Sequence, residues 1–167
     1  MTDKIIIHGK IVFDPEEKTT KHKEQGAWKK IAIIEIDGQV SEYYSWFIKK
    51  RYNLILNKPL RGSHITFIND SHKDLGVNGL ANWEVVKRKW NGKQISVTLC
   101  VDPRTDDEHW WLNIPQEDRE TIHSIRAELG LGRPFWGLHL TIGYANEKNI
   151  EHSRYIHRLI KNNLINY

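Results

Sequence analysis

The sequence predicts an α+β fold, and three observations predict it. Short β-branched runs alternate with longer stretches of helical period along the chain. A hydrophobic content of 39% with seven Trp supplies core material for 167 residues. The 11 Gly and 5 Pro are scattered rather than gathered into a linker, so one domain over 1–167 is expected.

The elements follow in order. Lys4 to Phe13 reads as a strand ended by the Asp14-Pro15 turn. Lys30 to Ile36 is a β-branched run stopped by the turn pair Asp37-Gly38. Ser41 to Tyr52 is an aromatic-rich helix with Ser41 as its N-cap. Gly62 to Asn69 is a strand, and a short helix from Asn82 stops before Asn91-Gly92, a hairpin-type turn. Gln94 to Val101 alternates as a strand, with His109 to Ile114 expected as its neighbour. Pro115 opens a helix over Gln116 to Leu129 that Gly130 closes. Leu138 to Gly143 is a further strand and Asn149 to Ile160 a last helix. The count is about six strands and three or four helices.

Composition excludes several classes. Cys100 is the single cysteine, so an internally disulfide-stapled scaffold is excluded, and its apolar strand reads it as a small buried residue. No apolar run approaches the ~18 residues of a membrane span. Ile5-Ile6-Ile7 is followed by His8 and Lys10, unlike a signal peptide, so a soluble cytoplasmic protein is expected. A net charge of +4 suits an anionic ligand and falls short of a dedicated DNA binder. No zinc signature, phosphate-binding loop or dinucleotide fingerprint occurs.

One pattern occurs twice. Gly62-Ser63-His64-Ile65-Thr66-Phe67 is matched by Gly137-Leu138-His139-Leu140-Thr141-Ile142, 75 residues later. Nine His and eight Thr would give roughly 0.4 His-x-Thr triplets by chance, and apolar middle and following residues lower that to roughly 0.07. Each copy follows a helix and a Gly-containing loop, a long-period duplication of one supersecondary unit. On a strand, residues i and i+2 share a face, so His64 pairs with Thr66 and His139 with Thr141. Ile65 and Leu140 then point into the layer beneath, while Gly62 and Gly137 supply backbone room. Two imidazoles can act as neutral base and protonated acid, and two hydroxyls can donate to phosphoryl oxygens. Such a set suits in-line displacement at phosphorus without a metal or cofactor.

The duplicated motif resembles the 2H phosphoesterase superfamily, named for two His-x-Thr/Ser motifs. The resemblance implies a bilobal, pseudo-twofold (LigT-like) fold, with antiparallel sheets forming a central cleft and helices outside. The stretch Phe135-Trp136-Gly137-Leu138-His139-Leu140-Thr141-Ile142-Gly143 and the small size look most like the phage anti-CBASS phosphodiesterases. Those enzymes destroy the cyclic di- and trinucleotide signals of bacterial immunity. The resemblance implies His64, Thr66, His139 and Thr141 as the catalytic set, metal-independent cleavage of a 3′–5′ phosphodiester, and action in a host bacterial cytoplasm. It implies neither a membrane nor an obligate protein partner. Two alternatives stand beside it: an RNA-end enzyme acting on 2′,3′-cyclic phosphates or 2′–5′ linkages, and a non-catalytic nucleotide-binding module.

Further residues are candidates for substrate contact. Trp136 either stacks on a base at a cleft rim or fills the core. Arg133, Arg61 and Lys58 either meet phosphate or lie in solvent. Tyr43, Tyr44, Trp46 and Phe47 are read mostly as core and rim, and of the adjacent Trp110 and Trp111 at least one is core. His152 and His157 sit about 140° apart around a helix, poor geometry for one metal, and read as a solvated face. His8, His22, His72, His109 and His123 show no ligand spacing. Ser63 as a nucleophile is rejected, because strand neighbours point apart.

Overall fold

Alternating apolar residues make Lys4–Phe13 the ten-residue strand β1, on which the first sheet is built. In a computed structural model, which describes residues 3–16, 30–70 and 72–166, β1 pairs antiparallel with β2 (Ala32–Ile36) and β4 (Gln94–Cys100). Strand β2 in turn pairs with β3 (His64–Ile68), giving the order β3-β2-β1-β4. A second antiparallel sheet holds β5 (Arg104–Thr105), β6 (His109–Asn113) and β7 (His139–Tyr144) in that order. The helices are α1 (Gly38–Tyr52), α2 (His72–Trp90), α3 (Glu120–Glu128) and α4 (Ile150–Lys161). One apolar core draws on both sheets, from Ile34, Ile65 and Phe67 to Trp110, Leu112 and Leu140. Among the described residues no helix is long and apolar enough to cross a membrane.

The α+β class holds, and several expectations are corrected. β4 and β6 are not ladder neighbours: β1 occupies the edge of β4, and β6 lies between β5 and β7 in the other sheet. Ser41 is not the N-cap of α1. Asp37 is, its carboxylate accepting from Gln39 N–H at 2.9 Å, so the Asp37-Gly38 pair begins a helix rather than a plain turn. Helix α2 starts ten residues before Asn82 and breaks at Gly76, where φ is 61°. Two glycines make that stretch a poor helix former, but Gly79 lets it pack against α3: a Cβ there would lie 2.8 Å from Leu129 O. Asn91-Gly92 joins α2 to β4 instead of closing a hairpin, and Asn91 Oδ1 accepts from Phe13 N–H at 2.8 Å. The helix expected over 116–129 splits into a 3-10 turn at Gln116–Asp118 and α3. Cys100 is half-buried, not buried, because it ends the outer strand β4.

Asp14 ties the end of β1 to α2. Its carboxylate accepts from Lys30 N–H at 2.6 Å, Trp83 Nε1 at 2.9 Å and Lys87 Nζ at 2.9 Å. Burial works to raise its pKa, but these donors outweigh burial and hold it below the usual aspartate value. Its stabilisation is therefore complete above the ordinary carboxylate pKa and fades as pH falls through the lower folded value. Asp14→Asn is expected to lower the melting temperature at pH 7 and to flatten its fall below pH 4, read by thermal melts from pH 2 to 7.

At Gly143 an added Cβ would stand 2.5 Å from Asn57 O and 2.9 Å from Leu56 Cβ. The 57 segment bridges Tyr144 there, with N···O distances of 2.8 and 3.1 Å. Gly143→Ala is expected to cost about 1–3 kcal/mol in urea denaturation, because backbone must give way.

Candidate active site

His64 opens β3 and His139 opens β7, and these are edge strands of different sheets that lie against one another. In each strand the histidine and the threonine are half-buried, while the residue between, Ile65 or Leu140, is fully buried. The i, i+2 reading of the motif is thereby realised twice.

The duplication goes deeper than the motif. His64 Nδ1 lies 2.9 Å from Gly62 O, and His139 Nδ1 lies 2.6 Å from Gly137 O. A carbonyl only accepts, so Nδ1 carries the proton in both rings and Nε2 keeps the lone pair in the neutral form. Pairing then skips one residue directly after each threonine: Phe67 between Thr66 and Ile68, and Ile142 between Thr141 and Gly143. Both skipped residues are buried, so each strand carries a β-bulge at the same place. The expectation that these glycines make backbone room is corrected. Gly62 has φ of 82°, a left-handed conformation suited to glycine, but a Cβ at Gly62 or Gly137 would meet nothing within 4 Å, so close packing is not their role.

Partners across the ladder differ. His64 stands opposite Glu35 and Thr66 opposite Ile33, whereas His139 stands opposite Asn113 and Thr141 opposite Trp111. The Trp111 and His139 rings lie 5.9 Å apart at 56°. Trp110, the other tryptophan of that pair, is core. A cavity of about 430 Å³ opens over β6 and β7, lined by Asp106, His109, Trp111, Asn113, Gly137, His139 and Thr141. Behind the motif strands, Ser63 Oγ donates to Ser41 Oγ at 2.7 Å and Ser41 Oγ donates to Thr141 O at 3.3 Å. Both serines are buried, which ties α1 to β7 and keeps Ser63 away from the His64 face.

Arg126 ties the first motif strand to the loop before the second, and sequence reasoning missed it. It is 1% exposed and forms a fork with Asp70: Nη1 to Oδ2 at 2.7 Å, Nη2 to Oδ1 at 2.9 Å. It also donates to Phe67 O at 2.8 Å and Gly132 O at 2.7 Å, and its Cζ lies 5.4 Å from the Trp136 ring centroid. Trp136 Nε1 donates to Thr66 O at 3.2 Å. The loop before the second motif is thus pinned to the strand of the first. The signal was legible: Arg126 falls on the apolar stripe of Ile122, Ile125 and Leu129.

The remaining candidates sit as follows. Trp136 is half-buried and committed to Thr66 and Arg126, while its neighbour Phe135 is 89% exposed. Arg133 is exposed, in a cationic quarter where burial first, then Arg133, Arg119 and Arg126, push the His123 pKa down. Arg61 is buried and donates to Glu16 O. Lys58 is exposed and pairs with Glu42 at 3.1 Å. Of the α1 aromatics, Tyr44 is buried and Tyr43 and Trp46 are exposed. His152 and His157 are not simply solvated: His152 Nε2 lies 2.8 Å from Tyr52 O, and His157 Nδ1 bonds Asp107 Oδ1. His22 lies outside the described residues. Among the described residues no group of three or more His, Cys, Asp or Glu is placed to hold a metal ion. Comparisons with family models, with curated proteins and with solved structures each find no match to this chain.

Proposed function

We propose that this chain is a metal-independent 2H-type phosphodiesterase that cleaves 3′–5′ linkages in cyclic di- or trinucleotides. The observation that carries the reading is the repeated microstructure: two strand-opening histidines, each with Nδ1–H held by the carbonyl two residues earlier, each with a threonine on the same face. Core histidines satisfied by backbone have no reason to come as a matched pair with matched bulges. An oriented base and an oriented acid do.

In the mechanism, Nε2 of one histidine takes the proton of a ribose 2′-hydroxyl as its oxygen attacks the neighbouring phosphorus. The P–O5′ bond breaks in line, and the other histidine, protonated, gives its proton to the leaving 5′-oxygen. Thr66 and Thr141 donate hydrogen bonds to the non-bridging oxygens, where negative charge grows. The product is a linear oligonucleotide ending in a 2′,3′-cyclic phosphate. Water then opens that ring to a 3′-phosphate as the two histidines exchange roles. The host cytoplasm, where such signals accumulate, is the compartment this reading assigns to a phage-encoded enzyme.

Incubation with 3′,3′-cyclic GMP-AMP and, separately, with an RNA ending in a 2′,3′-cyclic phosphate tests the reading by chromatography. Linearised dinucleotide is the expected product; turnover of the RNA end alone would move the assignment to RNA-end processing. Turnover is expected to persist undiminished in excess EDTA. Loss on chelation that a divalent metal restores would sink the metal-independent mechanism.

A further inference from the structure

Strand β6 alternates cleanly: Trp110 and Leu112 are buried, while His109, Trp111 and Asn113 face outward. On that face Asn113 neighbours His139 and Trp111 neighbours Thr141, and the turn before β6 adds Asp106 to the same cavity of about 430 Å³. Among the described residues the ladder beside the first motif offers no such face. The positions matching Trp111 and Asn113 hold Ile33, which is buried, and Glu35. The phosphate-handling residues are duplicated, and the surface beside them is not.

We infer that the cavity over β6 is a guanine subsite, so that the substrate is gripped through one base beside His139 and not symmetrically through two. This rests on the phosphodiesterase reading only for the identity of the substrate. Trp111 supplies a π-face whose orientation is fixed by donation from Nε1 to Asn113 Oδ1 at 2.8 Å. That bond uses the Asn113 carbonyl and leaves its amide N–H groups to give. Asp106 Oδ1 accepts from His109 N–H at 2.7 Å, with His109 Nδ1 at 3.4 Å, which leaves both lone pairs of Oδ2 to accept two donors. A flat ligand that stacks, accepts from an amide and donates twice to a carboxylate has the edge of guanine: O6 and N7 accept, N1–H and the 2-amino group donate. Adenine has no imino donor for Asp106.

Two measurements test it together. Equilibrium dialysis of GMP and AMP is expected to show GMP held at least about tenfold tighter by the wild-type chain, an extra charge-assisted bond being enough for that. Asp106→Asn is expected to erase the preference, and Trp111→Ala to weaken both nucleotides. Trp111→Phe, which keeps a π-face and is the milder change, should retain most of the binding. Cleavage of 3′,3′-cyclic GMP-AMP is expected to yield one linear regioisomer. Equal binding of GMP and AMP, or both regioisomers in equal amount, overturns the subsite while turnover keeps the phosphodiesterase reading. GMP preference without turnover of any cyclic nucleotide does the reverse: the subsite stands and the enzyme reading falls.

Discussion

Replacing His64 or His139 by alanine is expected to lower turnover of the cyclic dinucleotide about 10²–10⁴-fold, the usual worth of one acid–base group. Binding of the uncleaved ligand should persist, because neither imidazole is proposed to hold the base. The double variant should fall little further than the worse single one, since acid and base act in one step and their losses do not add. Thr66→Val and Thr141→Val keep the β-branched shape and remove one donor each; about 10²–10³-fold losses in kcat are expected. Steady-state kinetics with ligand binding in parallel checks all four. If either histidine variant keeps wild-type turnover, the two motifs do not form one site.

The second large effect concerns stability. Arg126→Met removes a guanidinium that satisfies Asp70, Phe67 O and Gly132 O at once. Asp70 is left as a carboxylate whose side chain is 9% exposed, with its fork partner gone. Breaking a buried pair from one side typically costs about 3–5 kcal/mol, so the urea midpoint should drop sharply. Removing both charges in Arg126→Met with Asp70→Leu should recover much of that loss, since replacing a whole buried pair with apolar groups is often neutral. A double variant no more stable than the single one would show that the bonds to Phe67 O and Gly132 O, not the ion pair, carry the contribution.

Much of the architecture was legible where local periodicity and local chemistry agree. Lys4–Phe13, His64–Ile68 and His139–Tyr144 appear close to their expected bounds because each buries alternate residues on one side. The shared faces of His64 with Thr66 and of His139 with Thr141 need only the two-residue period of a strand. What escaped is set by tertiary contact. A bulge is a mismatch between two strands, and neither strand announces it alone. The close approach of Gly79 to Leu129 O, where a Cβ would stand 2.8 Å away, is likewise a tertiary fact that no helix propensity encodes. Alternation sets Trp110 and Trp111 on opposite sides without saying which is core, and the place of Trp111 beside His139 follows from the β6–β7 register. Arg61 and Arg133 look alike in sequence, yet one lies buried against Glu16 O and the other stands exposed.

The paired bulges have a consequence for how the protein can change. Because Phe67 and Ile142 interrupt the alternation, the polar side of each ribbon lasts only three residues before both neighbours turn inward. Each His-x-Thr unit is therefore a cassette, bounded upstream by a glycine and downstream by a frame shift. Straightening either ribbon with its extra residue kept would carry Ile68, or Gly143, from the interior to the polar side, so each frame shift is what lets two consecutive residues stay inside.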